Sequence, residues 1–92
     1  MQVEHEEQNH RFVVRLPDGE AELGYAPQGA EVLNLHHTYV PSTARGQGVA
    51  EVLVKGALDY ARQNGKRVIP TCPYVQAWLQ KHPDQNDIVA AG

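Results

Sequence analysis

The chain has 92 residues, of which 41% are hydrophobic, and its 11 acidic and 8 basic side chains give a formal charge of −3. This size accommodates one domain with a modest core, and we interpret residues 1–92 as a single domain. The acidic balance argues against nucleic acid as a partner, and no apolar run approaches the roughly 20 residues that span a bilayer. Because a lone cysteine cannot form an internal disulfide and the acidic start is unlike a secretory signal, we expect a cytoplasmic protein.

Three antiparallel strands are predicted in the first half of the chain. Residues 11–16 and 20–25 alternate in the manner of strands around a Pro-Asp-Gly turn, and a second turn at 27–29 leads into the strand 32–40. Alternation along the third strand predicts one shared face for Leu33, Leu35, His37 and Tyr39.

Six residues between the third strand and a predicted helix over 46–64 indicate an anion site. They are Arg45, Gly46, Gln47, Gly48, Val49 and Ala50. The first turn of a helix has unpaired N–H groups and a partial positive charge, and glycines let an anion approach them. Residues 45–67 also carry five basic side chains against two acidic ones. The alternative is a tight turn without a ligand.

A short strand over 66–72 and a short helix over 74–81 follow, and residues 84–92 are expected to form a loosely held tail. A strand, a helix and another strand in succession favour a parallel crossover. The fold class predicted is therefore α+β of the three-layer α/β/α type, with a mixed, mainly antiparallel sheet of four to five strands.

Three motifs in this order resemble the GCN5-related N-acetyltransferases, and in particular their very small single-domain branch. The motifs are His-Thr-Tyr-Val-Pro at 37–41, Arg-Gly-Gln-Gly-Val-Ala at 45–50, and Pro-Thr-Cys-Pro-Tyr at 70–74, followed by Trp78 and His82-Pro83. The resemblance implies a reduced form of that fold, acetyl-CoA as co-substrate and acetyl transfer to a primary amine. The cofactor-binding residues that it implies are Tyr39, Val40, Arg45, Gly46, Gln47, Gly48, Val49, Ala50 and Tyr74.

In many relatives a tyrosine protonates the departing CoA. Here Trp78 or Leu79 falls near the position of that tyrosine, and neither can act as the acid. Cys72 and Tyr74 remain as candidates, and Cys72 is either a nucleophile that carries the acetyl group, a proton donor, or an inert buried thiol. His37 is predicted to act as general base for Cys72 or for the acceptor amine, or else to be structural. A metal site is not expected, because His36 and His37 are adjacent on a strand and should point to opposite faces.

The acceptor side of the site departs from larger relatives, because only a three-residue turn replaces the two helices that form much of their acceptor pocket. The acceptor pocket should therefore be open or completed by another molecule, and the acceptor can be a protein, a peptide or a small amine. The chain is expected to be a monomer or a weak homodimer. The alternative function is a non-catalytic CoA-binding or protein-interaction module. A cysteine hydrolase using Cys72 and His37 is weaker, since no third residue orients the histidine.

Overall fold

The computed structural model describes residues 1–90, which form one mixed β-sheet and two α-helices. The strands are β1 (Val3–Glu6), β2 (Arg11–Leu16), β3 (Gly19–Gln28), β4 (Val32–Tyr39) and β5 (Arg67–Pro70). The helices are α1 (Val49–Gln63) and α2 (Pro73–Lys81), with short 3₁₀ turns at Glu7–Asn9, Ser42–Ala44 and Pro83–Ile88. The strands lie in chain order and all neighbours are antiparallel except β4 and β5. The predicted α+β class and mixed, mainly antiparallel sheet are confirmed.

Both helices contribute to one hydrophobic core. The apolar stripe of α1 is buried at Val49, Leu53, Val54, Ala57, Leu58 and Ala61. It packs with side chains from alternate sheet positions, including Phe12, Leu23 and Leu35, and with Val75 and Leu79 of α2. The indole N–H of Trp78 donates to Glu51 at 3.1 Å, so α2 lies beside α1. Within residues 1–90 neither helix has the length and hydropathy to cross a bilayer.

The opposite face of the sheet carries charged side chains instead of a helix. Arg11 bonds Glu6 at 2.6 Å and Glu22 at 2.7 Å, and Arg15 bonds Glu4 at 3.1 Å. The Arg11 hydrogen bond holds the pKa of Glu6 below its usual range. Residues 1–90 therefore form two layers, a sheet and one helical layer, which differs from the predicted three-layer arrangement.

Strand β1 precedes the three predicted strands and makes four antiparallel strands before the glycines. Its sequence, Val-Glu-His-Glu, lacks the apolar alternation that identifies a strand. Val3 packs against the helical layer, where a Cβ added to Gly56 would lie only 2.9 Å from its Cγ1. Glu4 and Glu6 instead pair with arginines of β2, so partners that are distant in sequence stabilise this strand.

The side chain of His5 lies in an aromatic cluster under α1. Its ring stacks on Phe12 with centroids 4.4 Å apart and meets the edge of Tyr60 at 4.3 Å, and Nε2 lies 2.6 Å from the Tyr25 hydroxyl. Burial lowers the pKa of His5, although the charge of Glu7 opposes this shift. The folded protein therefore favours the neutral imidazole.

We expect this histidine to make folding stability depend on pH. Because the folded-state pKa of His5 lies below its ordinary value of 6.5, the unfolded chain binds more protons and stability falls as pH drops from about 7 through the folded pKa. Urea unfolding of wild type, His5→Gln and the exposed-site control His36→Gln between pH 5 and 8 measures the effect. The fall in the free energy of unfolding toward low pH is expected to become smaller only in His5→Gln. Three parallel pH profiles would refute the role given to His5.

The end of the chain is packed, so the predicted loose tail is wrong for residues 84–90, while residues 91–92 lie outside the described residues. Ile88 is buried, Val89 bridges to Val68, and the N–H of Ala90 donates to the Val68 carbonyl at 2.8 Å. Arg62 on α1 bonds Asp87 at 2.7 Å. Ile88 follows a polar stretch and begins an apolar run that is too short to give a periodic signal, yet it completes the core beside β5.

Ile88→Ala is expected to lower the free energy of unfolding by about 2–4 kcal/mol, because it leaves a cavity in the core. Asp87→Ala, one residue earlier, removes only the partly exposed ion pair to Arg62 and is expected to cost under about 1 kcal/mol. Chemical unfolding of the two variants compares them directly. Equal small losses would mean that the tail does not stabilise the fold.

Candidate functional site

A β-bulge in β4 sets the faces of the residues at its end. Gly24 pairs with His37 and Tyr25 pairs with Leu35, so His36 is the extra residue. Beyond the bulge the alternation is reversed: Thr38 points toward the helical layer, while Nε2 of His37 lies 3.7 Å from Glu22 on the charged face. The prediction that His37 shares the face of Leu35 is therefore wrong.

The same bulge determines on which side of the sheet His36 and His37 lie. His36 lies over Gly24, with Cε1 3.5 Å from the position of a Cβ there, and His37 pairs with that same glycine. The two rings are therefore on one side of the sheet, not on opposite faces. Within residues 1–90 no group of three or more metal-ligating side chains comes together.

A cleft of about 280 Å³ lies at the N-terminus of α1, and we call it the glycine cleft. It is lined by Val40, Ala44, Arg45, Gly46, Gly48, Val49, Ala50 and Tyr74. All but Ala44 are among the nine predicted cofactor-binding residues. The other two do not line it: Tyr39 is 47% exposed and pairs opposite Glu22, and the Gln47 amide turns toward the Thr43 carbonyl at 3.5 Å.

The glycine cleft has the features of an anion site. Gly46 and Gly48 have φ of 84° and 78°, and in the described part of the chain no atom beyond their direct neighbours lies within 4 Å of a Cβ added to either, so the space beside them is open. Among residues 1–90 no side chain caps the start of α1, which leaves the N–H groups of its first turn available. Arg45 adds a positive charge, with Nε held 3.3 Å from the Val40 carbonyl.

Two titratable groups near the cleft have shifted pKa values. Burial, reinforced by the charge of Glu51, raises the pKa of Tyr74, so this phenol is a hydrogen-bond donor at neutral pH. The Trp78 hydrogen bond and then Lys55 lower the pKa of Glu51, which is therefore a carboxylate. The cleft thus combines free amides, a guanidinium and a neutral phenol.

Cys72 directly precedes α2 and is 5% exposed. The N–H groups of Thr71 and Cys72 both donate to the Leu35 carbonyl, at 3.0 and 2.9 Å, which fixes this segment beside β4. Its sulfur lies 3.4 Å from Thr38 Oγ1. The structure does not bring His37 to the sulfur, because His37 points to the other face.

Three residues around the site were missed by sequence reasoning, namely Thr38, Ala44 and Glu22. Strict alternation assigned Thr38 to the wrong face. A usable signal was present in Gly24, since a glycine inside a strand often marks a bulge in the pairing.

Known proteins resemble this chain in sequence and in fold. Residues 11–88 match the family model described as GCN5-related N-acetyl-transferase. Protein NATD1 of Gallus gallus is 36% identical over 85 residues, covering 90% of this chain and 77% of its own length, and the Homo sapiens protein is 35% identical, with 90% and 75% covered. The NMR solution structure of a GCN5-like protein from Staphylococcus aureus superposes with a TM-score of 0.76 at 25% identity, covering 99% of this chain and 89% of that one. The chain belongs to the GCN5-related N-acetyltransferase family.

Proposed function

We propose that the protein is an acetyl-CoA-dependent N-acetyltransferase acting on a primary amine. The observation that carries this proposal is the glycine cleft, which combines an uncapped helix start, two open glycines and Arg45. These groups suit the pyrophosphate of CoA, because backbone amides and a guanidinium both donate to phosphate oxygens. The cleft is at the small end of ligand pockets, so much of the cofactor lies along the surface.

Binding would extend from the cleft toward Cys72 along the end of β4. Val40 supplies an apolar wall for the pantetheine arm, and Tyr74 donates from the opposite side. Pairing between β4 and β5 ends at Leu35 and Pro70, whereas β4 continues to Tyr39. The sheet therefore opens beside Thr38 and Cys72, and this opening gives an acceptor on the charged face access to the thioester.

Cys72 acts in this proposal as the nucleophile. Its thiolate forms a bond to the acetyl carbonyl carbon, the bond from that carbon to the CoA sulfur breaks, and Tyr74 or solvent protonates the departing thiolate. The neutral amine then attacks acetyl-Cys72, the carbon–sulfur bond breaks, and the Cys72 thiolate is restored. The proton lost by the amine goes to His37, whose imidazole lies beside the Glu22 carboxylate.

Incubation of the protein with acetyl-CoA labelled in the acetyl group tests this function. We expect a labelled protein adduct at Cys72 and label transfer to at least one member of a panel of polyamines, lysine peptides and peptide N-termini. If acetyl-CoA binds but no labelled adduct forms and no label reaches an amine, the proposed enzymatic activity is contradicted.

The second candidate is a CoA-binding or protein-interaction module without catalysis. It is favoured by the 5% exposure of Cys72 and, within residues 1–90, by a sheet face that carries charged side chains where a second helical layer would lie. This candidate predicts that acetyl-CoA binds but that the sulfur stays unmodified. The labelling experiment therefore separates the two.

A further inference from the structure

We propose that Thr38 is a positioning residue for Cys72, whose hydroxyl donates to the sulfur and stabilises the thiolate. The inference rests on the proposed function and deepens it by giving the nucleophile a polar partner. Thr38 Oγ1 lies 3.4 Å from Cys72 Sγ, and among the described residues it makes the only side-chain hydrogen bond to that sulfur.

The chemistry gives this hydrogen bond a direction. With a thiol, either atom can donate, but a thiolate has no proton, so the Thr38 hydroxyl must then be the donor. A hydrogen bond to the charged form favours that form. In residues 1–90 the hydroxyl makes no other side-chain hydrogen bond, so it is free to rotate toward the sulfur.

The backbone fixes both partners of this contact. The bulge at His36 turns Thr38 toward the helical layer, where it pairs opposite the buried Leu23. Two N–H groups, from Thr71 and Cys72, hold the other side at the Leu35 carbonyl. The contact therefore follows from strand register and does not require a mobile side chain to find its partner.

The titratable groups on the surrounding elements do not take this role. Tyr74 on α2 lines the glycine cleft. Glu51 on α1 accepts a hydrogen bond from Trp78 and lies near Lys55. His37 on β4 faces Glu22 on the other side of the sheet. None of them hydrogen-bonds the sulfur. Thr38 is the polar side chain positioned to influence the charge of Cys72.

The test uses the thiolate absorbance near 240 nm, and because the chain has one cysteine, subtracting Cys72→Ala separates this signal from that of the four tyrosines. Wild type, Thr38→Val and Thr38→Ser are titrated against a Cys72→Ala blank, and acetyl-adduct formation is timed by intact mass. We expect Thr38→Val to move the thiolate midpoint to higher pH and to slow adduct formation at pH 7 about tenfold. Thr38→Ser keeps the hydroxyl and is expected to behave as wild type.

An unchanged midpoint in Thr38→Val would overturn the inference, and so would equal shifts in both variants, because Thr38→Ser keeps the hydroxyl and its shift could not come from losing it. Failure of the proposed function gives a different result. In that case wild type forms no adduct, while the absorbance titration, which needs no acetyl-CoA, still reports whether the hydroxyl stabilises the thiolate.

Discussion

Gly48→Glu is expected to weaken acetyl-CoA binding at least about a hundredfold, a free-energy loss equivalent to about one or two charge-assisted hydrogen bonds. Gly48 immediately precedes α1 and lines the glycine cleft. A glutamate there places a carboxylate where the pyrophosphate should lie and repels it. Isothermal titration calorimetry with acetyl-CoA measures the effect.

Gly29→Glu is the matched control for this variant. Gly29 has φ of 72°, close to the 78° of Gly48, and a Cβ at either position meets no atom of the described, non-adjacent residues within 4 Å. Both variants therefore introduce the same charge and similar backbone strain, but Gly29 lies in the turn between β3 and β4. Equal loss of affinity in both would attribute the effect to folding and not to the cleft.

Cys72→Ala is expected to abolish the acetyl adduct and to lower amine acetylation at least about a hundredfold, because it removes the nucleophile. Acetyl-CoA affinity should stay within a few-fold of wild type, since the amides and Arg45 are untouched. Rates are measured by release of CoA and by mass spectrometry of the amine product.

Tyr74→Phe distinguishes transfer through Cys72 as nucleophile from direct transfer in which Cys72 takes no part. If the cysteine is the nucleophile, Tyr74→Phe forms the adduct more slowly but still forms it, because solvent can protonate the leaving thiolate. Full transfer by Cys72→Ala together with strong loss in Tyr74→Phe would instead indicate direct attack of the amine on acetyl-CoA, with Tyr74 as the acid.

The sequence predicted the parts of this molecule that depend on local patterns. The apolar stripe of α1 and its polar ending at Asn64-Gly65 mark the long helix, and the glycines at 46 and 48 mark its start. Most of the residues predicted for the cofactor site therefore line one cleft.

Features that depend on distant partners were not predictable in the same way. β1 forms because its glutamates meet arginines on β2, and Ile88 is buried because β5 and α1 leave space beside it. The bulge had the largest consequence for the site. Because of the one extra residue, Thr38 and not His37 lies beside Cys72. Periodicity alone does not reveal such an insertion in a strand.

The most direct test of the account is an NMR titration of the backbone amides with acetyl-CoA. We expect the largest shifts at Val40, Gly46, Gly48 and Ala50, with a smaller change at Cys72 where the thioester arrives. A second groove at the far end of α1, lined by Arg62, Lys66 and Arg67 among others, is the competing location for an anion. Shifts confined to that groove, with the glycine cleft unaffected, would contradict the assignment of the cofactor site.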